Sequence, residues 1–322
     1  MGTGVRIRDL LPAAQLADDD VLAVHQQNAF NPITGQNGDT RRVSVGELVY
    51  RPRTSLADMV RGAGHNLLDV LNVTTIPQAM AALRTRCNGT GVPNFAGLEI
   101  GDYIDGISLG GIAAPPGGIA PGVWNNTHKN NRIVIAGFNY YKSTGVWSNV
   151  ITKNHIVFAF DRAIARGRMN STNSNSGGYA ASEIRQWLEG EDGNGSGPFA
   201  VGLKNAIGDY LLTIPKNIAN SVWLDHTVWI PSEIEVHGRP ISGMFMLEGS
   251  QRAISPLIQL PLYQKSMELI IKFFNGVRTS WWLSSPTASW SSMFSVIQDN
   301  GQVSYEGASY TNYGISPVFC IA

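Results

Sequence analysis

From about residue 96 onward, short β-prone runs alternate with glycine-rich turns, and this pattern restricts the fold more than any other feature of the sequence. The expected strands cover residues 132–136, 155–160, 223–230, 269–274, 293–297 and 314–321. Two helices are expected between them, at 180–188 and 199–211, because apolar side chains recur there at helical spacing. Strands and helices in this mixed order predict an α+β domain over residues 96–322.

The composition favours a folded protein and argues against nucleic-acid binding and membrane insertion. Hydrophobic residues make up 43% of the 322 residues, which is enough for a core. The 24 basic and 24 acidic residues cancel and form no basic block, so electrostatic binding of nucleic acid is excluded. No apolar run approaches the roughly 20 residues of a membrane span, and no signal-peptide core follows the first residues. We therefore expect synthesis in a cytoplasm, without membrane insertion.

Residues 1–55 predict a small β-hairpin. Two β-prone runs, near 21–24 and 41–48, flank a turn cluster at 34–39 that is rich in glycine and asparagine. A hairpin of this size is too small to be stable by itself, so we expect support from a partner or from other copies of the chain.

Residues 56–95 predict a helical linker or oligomerisation region. Apolar residues at helical spacing run from Leu67 to Leu83. Thr75 suits the N-cap of the main helix, Pro77 suits its first turn, and Asn88-Gly89 suits its end. Two arrangements fit this region: helices packed about the symmetry axis of a trimer, or a helix docked on its own domain.

Three motifs follow one another in the C-terminal part of the chain. Residues 169–188 read MNSTNSNSGGYAASEIRQWL, residues 225–238 read DHTVWIPSEIEVHG, and residues 281–286 read WWLSSP, with a closing GISPVF at 314–319. In this order they resemble a phage and bacterial domain family with a C-type-lectin-like fold, related to phage tropism determinants and, more distantly, to formylglycine-generating enzymes. The resemblance covers the chain from about residue 150 onward and implies a C-type-lectin-like recognition domain within residues 96–322.

The N-terminal segment carries a second resemblance. Residues 18–24 and 41–48 follow the pattern D-D-x-L-x-V … R-x-V-x-V-x-x-L, which is similar to the attachment segments of phage tail fibres. This resemblance implies that residues 1–55 attach the protein to a virion, and an ordinary β-hairpin is the alternative interpretation.

Most residues of the three C-terminal motifs are interpreted first as scaffold. Trp187, Trp281 and Trp282 are expected in the core, because large aromatic rings bury more area than they expose. Arg185 is expected to bind carbonyl groups or the neighbourhood of Glu183. Ser284 and Ser316 stand where the resembling family usually has arginine, and we expect their hydroxyls to form hydrogen bonds in place of buried ion pairs.

The sequence carries no recognised catalytic or metal-binding motif. Its six histidines include no HxxxH or HxH pair, and GxSxG, P-loop and GxGxxG motifs are absent. The E-P-N, Q-P-D and W-N-D tripeptides of calcium-dependent sugar lectins are absent too. Cys87 and Cys320 lie far apart in sequence and predict free buried thiols. Glu189, Glu191 and Asp192 in a glycine-flanked loop are expected on a solvated surface. We expect neither an enzyme nor a bound cofactor or metal.

One stretch has the composition of a binding surface. Residues 289–292 and 305–313 are rich in Tyr, Trp, Ser, Gly and Asn, as antibody paratopes are. The residues expected to contact a receptor are Trp290, Ser291, Tyr305, Tyr310, Asn312 and Tyr313. The resemblance implies the same role, because the tropism-determinant relatives display receptor-contacting residues in this region. A solvated loop, or one packed between subunits, is the alternative.

These features together predict a bacteriophage tail-fibre or receptor-binding protein that is part of the virion. We expect a homo-oligomer, most simply a trimer, which attaches to phage tail or baseplate proteins through residues 1–55. Residues 96–322 would then recognise a host-surface protein or glycan. Two alternatives stay open: a structural protein that decorates the head or baseplate, and an enzyme of the formylglycine-generating kind, which the cysteine positions disfavour.

Overall fold

The N-terminal strands form the expected antiparallel pair. The computed structural model describes residues 21–25, 40–44, 64–118, 131–146, 149–219, 222–241 and 258–322. The chain divides into two compact units, Met1–Leu56 and Ala57–Ala322. In the first unit, β1 (Val21–His25) pairs with β2 (Thr40–Ser44), Val21 lying opposite Ser44. The predicted turn at 34–39 lies outside the described residues.

The second unit mixes helices and strands, which makes the fold α+β as predicted. Its described helices are α1 (Leu67–Val70), α2 (Ile76–Cys87), α3 (Glu183–Glu189), α4 (Pro198–Ile207), α5 (Glu233–His237) and α6 (Pro261–Lys265), with 3-10 turns at Tyr179–Ala181 and Met267–Ile270. Its described strands are β3 (Tyr103–Ile107), β4 (Asn131–Phe138), β5 (Gly145–Val146), β6 (Asn149–Val150), β7 (Ile156–Phe160), β8 (Ala165–Gly167), β9 (Ile214–Ala219), β10 (Val222–His226), β11 (Val228–Trp229), β12 (Lys272–Phe274), β13 (Val277–Thr279), β14 (Trp281–Pro286), β15 (Met293–Ile297), β16 (Val303–Gly307), β17 (Tyr313–Ile315) and β18 (Val318–Ile321). Within the described ranges, no helix is long and apolar enough to span a bilayer.

Two five-stranded sheets form the framework of this unit. The first has the order β11-β18-β7-β4-β3, and every neighbouring pair in it is antiparallel. The second has the order β16-β15-β14-β17-β8, with one parallel pair, β14 and β17, where Trp281 lies opposite Gly314. Every residue of β7 and of β14 is buried, so the rest of the unit covers both faces of these two strands.

Aromatic side chains fill the space between the first sheet and two helices. The rings of Phe158 and Phe319 stack with their centroids 5.6 Å apart. Phe199 of α4 lies 5.7 Å from Phe160 and 5.3 Å from Trp187 of α3. The Trp187 indole Nε1 donates to the carbonyl of Ala113 at 2.8 Å, so this buried ring also has its polar atom satisfied. Trp187 is therefore a core residue, as predicted.

The helix α2 begins and ends where its sequence signals place it. Thr75 Oγ1 accepts from the backbone N–H of Gln78 at 3.4 Å, and Gln78 Oε1 accepts from that of Thr75 at 3.2 Å, which completes a capping box. Asn88 ends the helix in the left-handed conformation, with φ of 54°. The buried face of α2, which includes Met80 and Leu83, belongs to the core of the second unit. Of the two arrangements left open by the sequence, the helix docked on its own domain is the one observed.

Several predicted elements are shorter than expected, and each break has a local cause. The run 223–230 splits at Thr227 into β10 and β11, because the backbone N–H groups of Thr227 and Val228 donate to a side chain, Glu189, instead of a neighbouring strand. The helix predicted at 199–211 ends at Ile207, since Gly208 has a positive φ of 92°. The run 314–321 is interrupted at Ser316-Pro317, where proline has no N–H to donate.

His155, at the start of β7, is buried as a neutral base. Its Nε2 accepts from the backbone N–H of Tyr141 at 3.0 Å, so Nδ1 carries the proton and donates to the carbonyl of Lys153 at 3.1 Å. Burial lowers the pKa of His155 from 6.5 to about 4. Below pH 6.5 the unfolded chain therefore binds a proton that the folded chain excludes until the pH reaches about 4.

This pKa shift predicts acid destabilisation that one substitution removes. The stabilisation is complete above pH 6.5 and is lost as the pH falls towards about 4, a change of about 3 kcal/mol in the free energy of unfolding. His155→Gln keeps an acceptor for Tyr141 but does not titrate, so it should lose about 3 kcal/mol less on acidification. Urea unfolding of both proteins at about pH 7 and about pH 4.5 measures this. A stability difference between them that does not change with pH would contradict the assignment.

Candidate functional site

Three loops beside the second sheet are joined by hydrogen bonds and form what we call the three-loop surface, residues 171–176, 287–292 and 308–313. The third of them runs from the end of β16 to β17, whose start lies beside the opposite end of β14. Backbone hydrogen bonds join them: Asn175 N–H donates to Ser291 O at 2.8 Å, and Ala308 N–H donates to Ser292 O at 2.8 Å. The loop 171–176 is joined to 308–313 at its base, where Asn170 N–H donates to Ala308 O at 2.9 Å. The surface is thus built from parts of the chain that are far apart in sequence.

The side chain of Asn175 holds the middle loop in place. Its Nδ2 donates to the carbonyl of Trp290 at 2.8 Å and to that of Met293 at 3.0 Å. Thr287 Oγ1 donates to the same Trp290 carbonyl at 2.9 Å. Because these bonds use the backbone carbonyl of Trp290, they leave the indole side chain of Trp290 free to face outward.

The structure places most of the predicted receptor-contacting residues on this surface. Trp290, Ser291, Tyr310 and Asn312 are all exposed, and the exposed fractions of the two large rings are 52% for Trp290 and 49% for Tyr310. Tyrosine and tryptophan combine a large apolar ring with a polar group, which is why they are enriched at binding interfaces.

Tyr305 and Tyr313 differ from these four residues. Tyr305 is 45% exposed but lies on β16, opposite Ser295 and beside the three-loop surface rather than in one of its loops. Tyr313 is half-buried: its ring lies 5.0 Å from that of Trp282, and its hydroxyl donates to Glu306 Oε2 at 3.0 Å. It also supports Tyr310, whose ring centroid is 5.5 Å from its own. Tyr313 is therefore part of the support of the surface as well as part of its edge.

The sequence predicts scaffold residues for the motif that contains the loop 171–176. The structure adds this loop to the predicted surface. Asn170 and Asn175 do act as scaffold, through the bonds above and through Asn170 Nδ2 to Ser174 O at 2.8 Å. The residues between and beside them, including Thr172 and Asn173, are exposed. The available signal was the repetition of asparagine and serine, the same composition that marked the other two loops.

Two fully buried tryptophans support the surface from below. The Trp281 Nε1 donates to Ile270 O at 2.9 Å, and the Trp282 Nε1 donates to Gly167 O at 2.8 Å. Both indoles therefore lie in the core with their polar atoms satisfied, as predicted. Ser316, which was expected to replace an arginine, donates to Phe160 O at 3.1 Å. Ser284 Oγ, in contrast, is buried without a hydrogen-bond partner among the described residues, so that expectation is wrong for Ser284.

Glu189 corrects the expectation of an exposed acidic cluster. Its carboxylate is fully buried and accepts from Arg185 Nε at 2.9 Å, His226 Nδ1 at 2.5 Å and Thr227 N–H at 2.9 Å. Arg185 also donates to the carbonyls of Ala180 and Glu191 at 3.1 and 2.8 Å. Arg185 is thus a structural fork that binds carbonyls as predicted, but its carboxylate partner is Glu189 rather than Glu183. Glu191 and Asp192 are exposed, as predicted.

A second buried cluster surrounds Glu235. Its carboxylate accepts from Lys216 Nζ at 2.6 Å, from the Tyr141 hydroxyl, and from Ser232 N–H at 2.8 Å. Lys216 Nζ lies 4.6 Å from the centroid of the Trp229 ring, a cation–π contact. Burial raises the pKa of Tyr141, so its hydroxyl keeps its proton and donates it to the carboxylate. In both clusters the buried charge has an opposite charge and hydrogen bonds, which is the arrangement of a structural ion pair.

The two thiols are free and buried, as predicted, but the fold brings them close together. Cys87 Sγ lies 3.8 Å from the carbonyl of Ile321, the residue after Cys320. Burial raises the pKa of Cys87 from 9.0 to about 11 and raises that of Cys320 well above its usual range. Both are therefore protonated at neutral pH, whereas a nucleophilic or metal-binding cysteine needs its thiolate.

A separate cleft of about 470 Å³ lies between the loop at 108–112 and the helix α4. Its lining combines glycine and apolar residues, among them Gly110, Ile112 and Val201, with the polar Ser108 and Asn205, and none of its lining residues is titratable. In the described part of the chain, no group of three or more His, Cys, Asp or Glu side chains is placed to hold a metal ion.

Comparison with known proteins gives a family but no activity. A family model described as a domain of unknown function (DUF6273) matches residues 149–322, which is more than half of the chain. The match spans the three-loop surface, the second sheet, and the Glu189 and Glu235 carboxylates with their cationic partners Arg185 and Lys216. No curated protein and no solved structure matches the chain.

Proposed function

The chain belongs to the DUF6273 family, whose description states no function, so we propose its function from the geometry. The protein binds a partner on a cell surface, without catalysis, as a bacteriophage receptor-binding protein does. The observation that carries this proposal is the three-loop surface. It presents Trp290 and Tyr310, about half exposed, from loops fixed by backbone hydrogen bonds. Rigid aromatic anchors among small polar residues are the usual composition of a paratope.

The buried groups support binding rather than catalysis. A catalytic residue needs a poised ionisation state and a position from which it can reach a substrate. The Glu189 and Glu235 carboxylates are instead enclosed by cations and hydrogen-bond donors, and both thiols are held protonated by burial. These features do not favour an enzyme of the formylglycine-generating kind, which would use a reactive cysteine pair.

The rest of the proposal concerns the fold family, the assembly and the location. The C-type-lectin-like character of the second unit is proposed on the three sequence motifs. The strands β1 and β2 form a two-stranded pair, which is at best marginally stable alone. We therefore propose that residues 1–55 are supported by phage tail or baseplate proteins or by sister chains in a trimer, in the virion.

Adsorption to bacterial cells tests the binding function. The fluorescently labelled full chain is incubated with a panel of bacterial strains, beside the variants Trp290→Ala, Tyr305→Ala and Tyr310→Ala. We expect adsorption to at least one strain, and at least about a tenfold loss of it for Trp290→Ala and Tyr310→Ala, since truncated hot spots cost about 2 kcal/mol or more. Their melting temperatures should stay near that of the wild type, because both rings are exposed.

The control is Val92→Ala, a substitution at a residue that is 86% exposed and distant in sequence from the three-loop surface. It should change neither adsorption nor melting temperature. If the wild-type chain adsorbs to no strain, the receptor-binding proposal is rejected in favour of a structural virion protein. If it adsorbs and all three aromatic variants adsorb equally well, the binding surface lies elsewhere.

A further inference from the structure

The exposed side chains of the three-loop surface are uncharged, and this restricts the partner. Residues 171–176, 287–292 and 308–313 contain no Asp, Glu, Lys, Arg or His. The surrounding charges are used internally. Arg168 Nε lies 3.2 Å from Glu183 Oε2, and Glu306 accepts from Tyr313 and from Gly307 N–H at 2.9 Å. An anionic ligand would therefore find no unpaired cation among the described residues of the loops and of these flanking positions.

The polar groups of the surface match a ligand rich in hydroxyls. Thr172, Asn173, Ser289, Ser291, Thr311 and Asn312 are exposed, and their side chains form no hydrogen bond with the described part of the chain. Serine and threonine hydroxyls both donate and accept, and asparagine offers one acceptor and two donor positions. A sugar hydroxyl likewise donates and accepts, so such groups can pair with it without an unsatisfied partner.

The aromatic residues match the remaining part of such a ligand. One face of a pyranose ring presents C–H groups, which pack well on a flat aromatic ring, and Trp290 and Tyr310 each offer such a ring, about half exposed. Protein-binding surfaces are enriched in arginine and methionine around an apolar centre. The three loops contain no arginine, and the exposed aromatic rings are separated by serine, threonine and asparagine.

Hydrogen bonds also fix the three loops before a ligand binds. This preorganisation matters for a ligand whose individual contacts are weak. Asn175 binds the backbone of the middle loop at 2.8 and 3.0 Å, and Asn170 closes its own loop through Ser174 O at 2.8 Å. A Cβ atom added at Gly307 would lie 2.8 Å from Asn173 Oδ1, so the loop 171–176 sits closely against the end of β16. Little conformational entropy is then lost on binding.

We infer that the three-loop surface binds a neutral glycan, built of uncharged hexose or N-acetylhexosamine units, and that the loop 171–176 is part of the binding site. This inference rests on the proposed function, because it names the partner of the same surface. An acidic saccharide is not expected, since the three loops contain no cation and the flanking Arg168 is paired with Glu183.

A glycan array tests the class of ligand directly. The full chain is applied to an array of neutral and acidic bacterial saccharides. We expect retention on neutral saccharides and none on acidic ones. Trp290→Ala, Tyr310→Ala and Asn173→Ala should each reduce retention at least about tenfold, while Val92→Ala should not. Retention should be unchanged between about 0.05 M and about 0.5 M NaCl, because no ion pair is involved. Retention on acidic saccharides, or a strong loss with salt, overturns the inference.

Adsorption measured on treated cells distinguishes a failure of this inference from a failure of the proposed function. For a strain that adsorbs the protein, an excess of polysaccharide purified from the same strain should abolish adsorption by competition, and protease treatment of the cells should leave it intact. If the protease abolishes adsorption and the polysaccharide does not compete, the partner is a protein: the glycan inference fails and the receptor-binding function stands. If neither an untreated strain nor a saccharide binds the wild-type chain, both proposals fail.

Discussion

Trp282→Ala should destabilise the second unit by ~3–5 kcal/mol. Trp290→Ala changes the same residue type in the loop between β14 and β15, and it should leave the stability of the unit nearly unchanged. Trp282 is fully buried, its Nε1 donates to Gly167 O at 2.8 Å, and its ring supports Tyr313 at 5.0 Å. The substitution therefore opens a large cavity and leaves the Gly167 carbonyl unpaired.

Thermal melting of the two variants beside the wild type makes the comparison. A loss of this size lowers the melting temperature by on the order of 10 °C in a protein of this length. Trp281→Ala should behave like Trp282→Ala, since Trp281 is equally buried and donates to Ile270 O at 2.9 Å. Equal melting temperatures for Trp282→Ala and Trp290→Ala would mean that the β14 tryptophans are not core residues.

Glu189→Ala should destabilise the protein by about 3–5 kcal/mol of unfolding free energy. It removes the acceptor of Arg185, His226 and Thr227, all of them buried. The Arg185 guanidinium would be left in the interior without its opposite charge. Burial already lowers the pKa of His226, and loss of the Glu189 carboxylate lowers it further, so the ring would stay neutral and its Nδ1–H would lose its acceptor.

The matched control for Glu189→Ala is Glu191→Ala, two residues further along the same chain segment. Glu191 is exposed, and it binds Arg185 through its backbone carbonyl, which alanine retains. Its substitution should therefore cost less than about 0.5 kcal/mol. Urea unfolding of the two variants measures the difference. Similar stabilities for both would show that the buried carboxylate makes no net contribution.

Local signals predicted the parts of this fold that depend on a few neighbouring residues. The cap at Thr75, the end at Asn88 and the strand β15 agree with the sequence, because capping and alternation are encoded within several consecutive residues. Burial of Trp281 and exposure of Trp290 also followed from their neighbours, apolar in one case and small and polar in the other.

Tertiary hydrogen bonds account for what the sequence did not reveal. Glu189 looked like a surface residue beside Glu191, and only its pairing with His226, 37 residues away, explains its burial. Asn175 binds carbonyls 115 and 118 residues further along the chain, so the asparagine- and serine-rich composition of its loop could not by itself indicate which loops it joins. The same kind of contact, at Thr227, divided one predicted strand into two.

The position of β18 sets the order in which this chain can fold during synthesis. It lies between β7 and β11, so the centre of the first sheet stays open until residues 318–321 have left the ribosome. Ser316, just before it, bonds to a carbonyl 156 residues earlier. Contacts of such long sequence separation slow folding, and the unpaired edge of β7 is exposed to other chains for as long as they are missing. Slow translation of the region before β18 should therefore favour aggregation, and fast translation of it should favour the native fold.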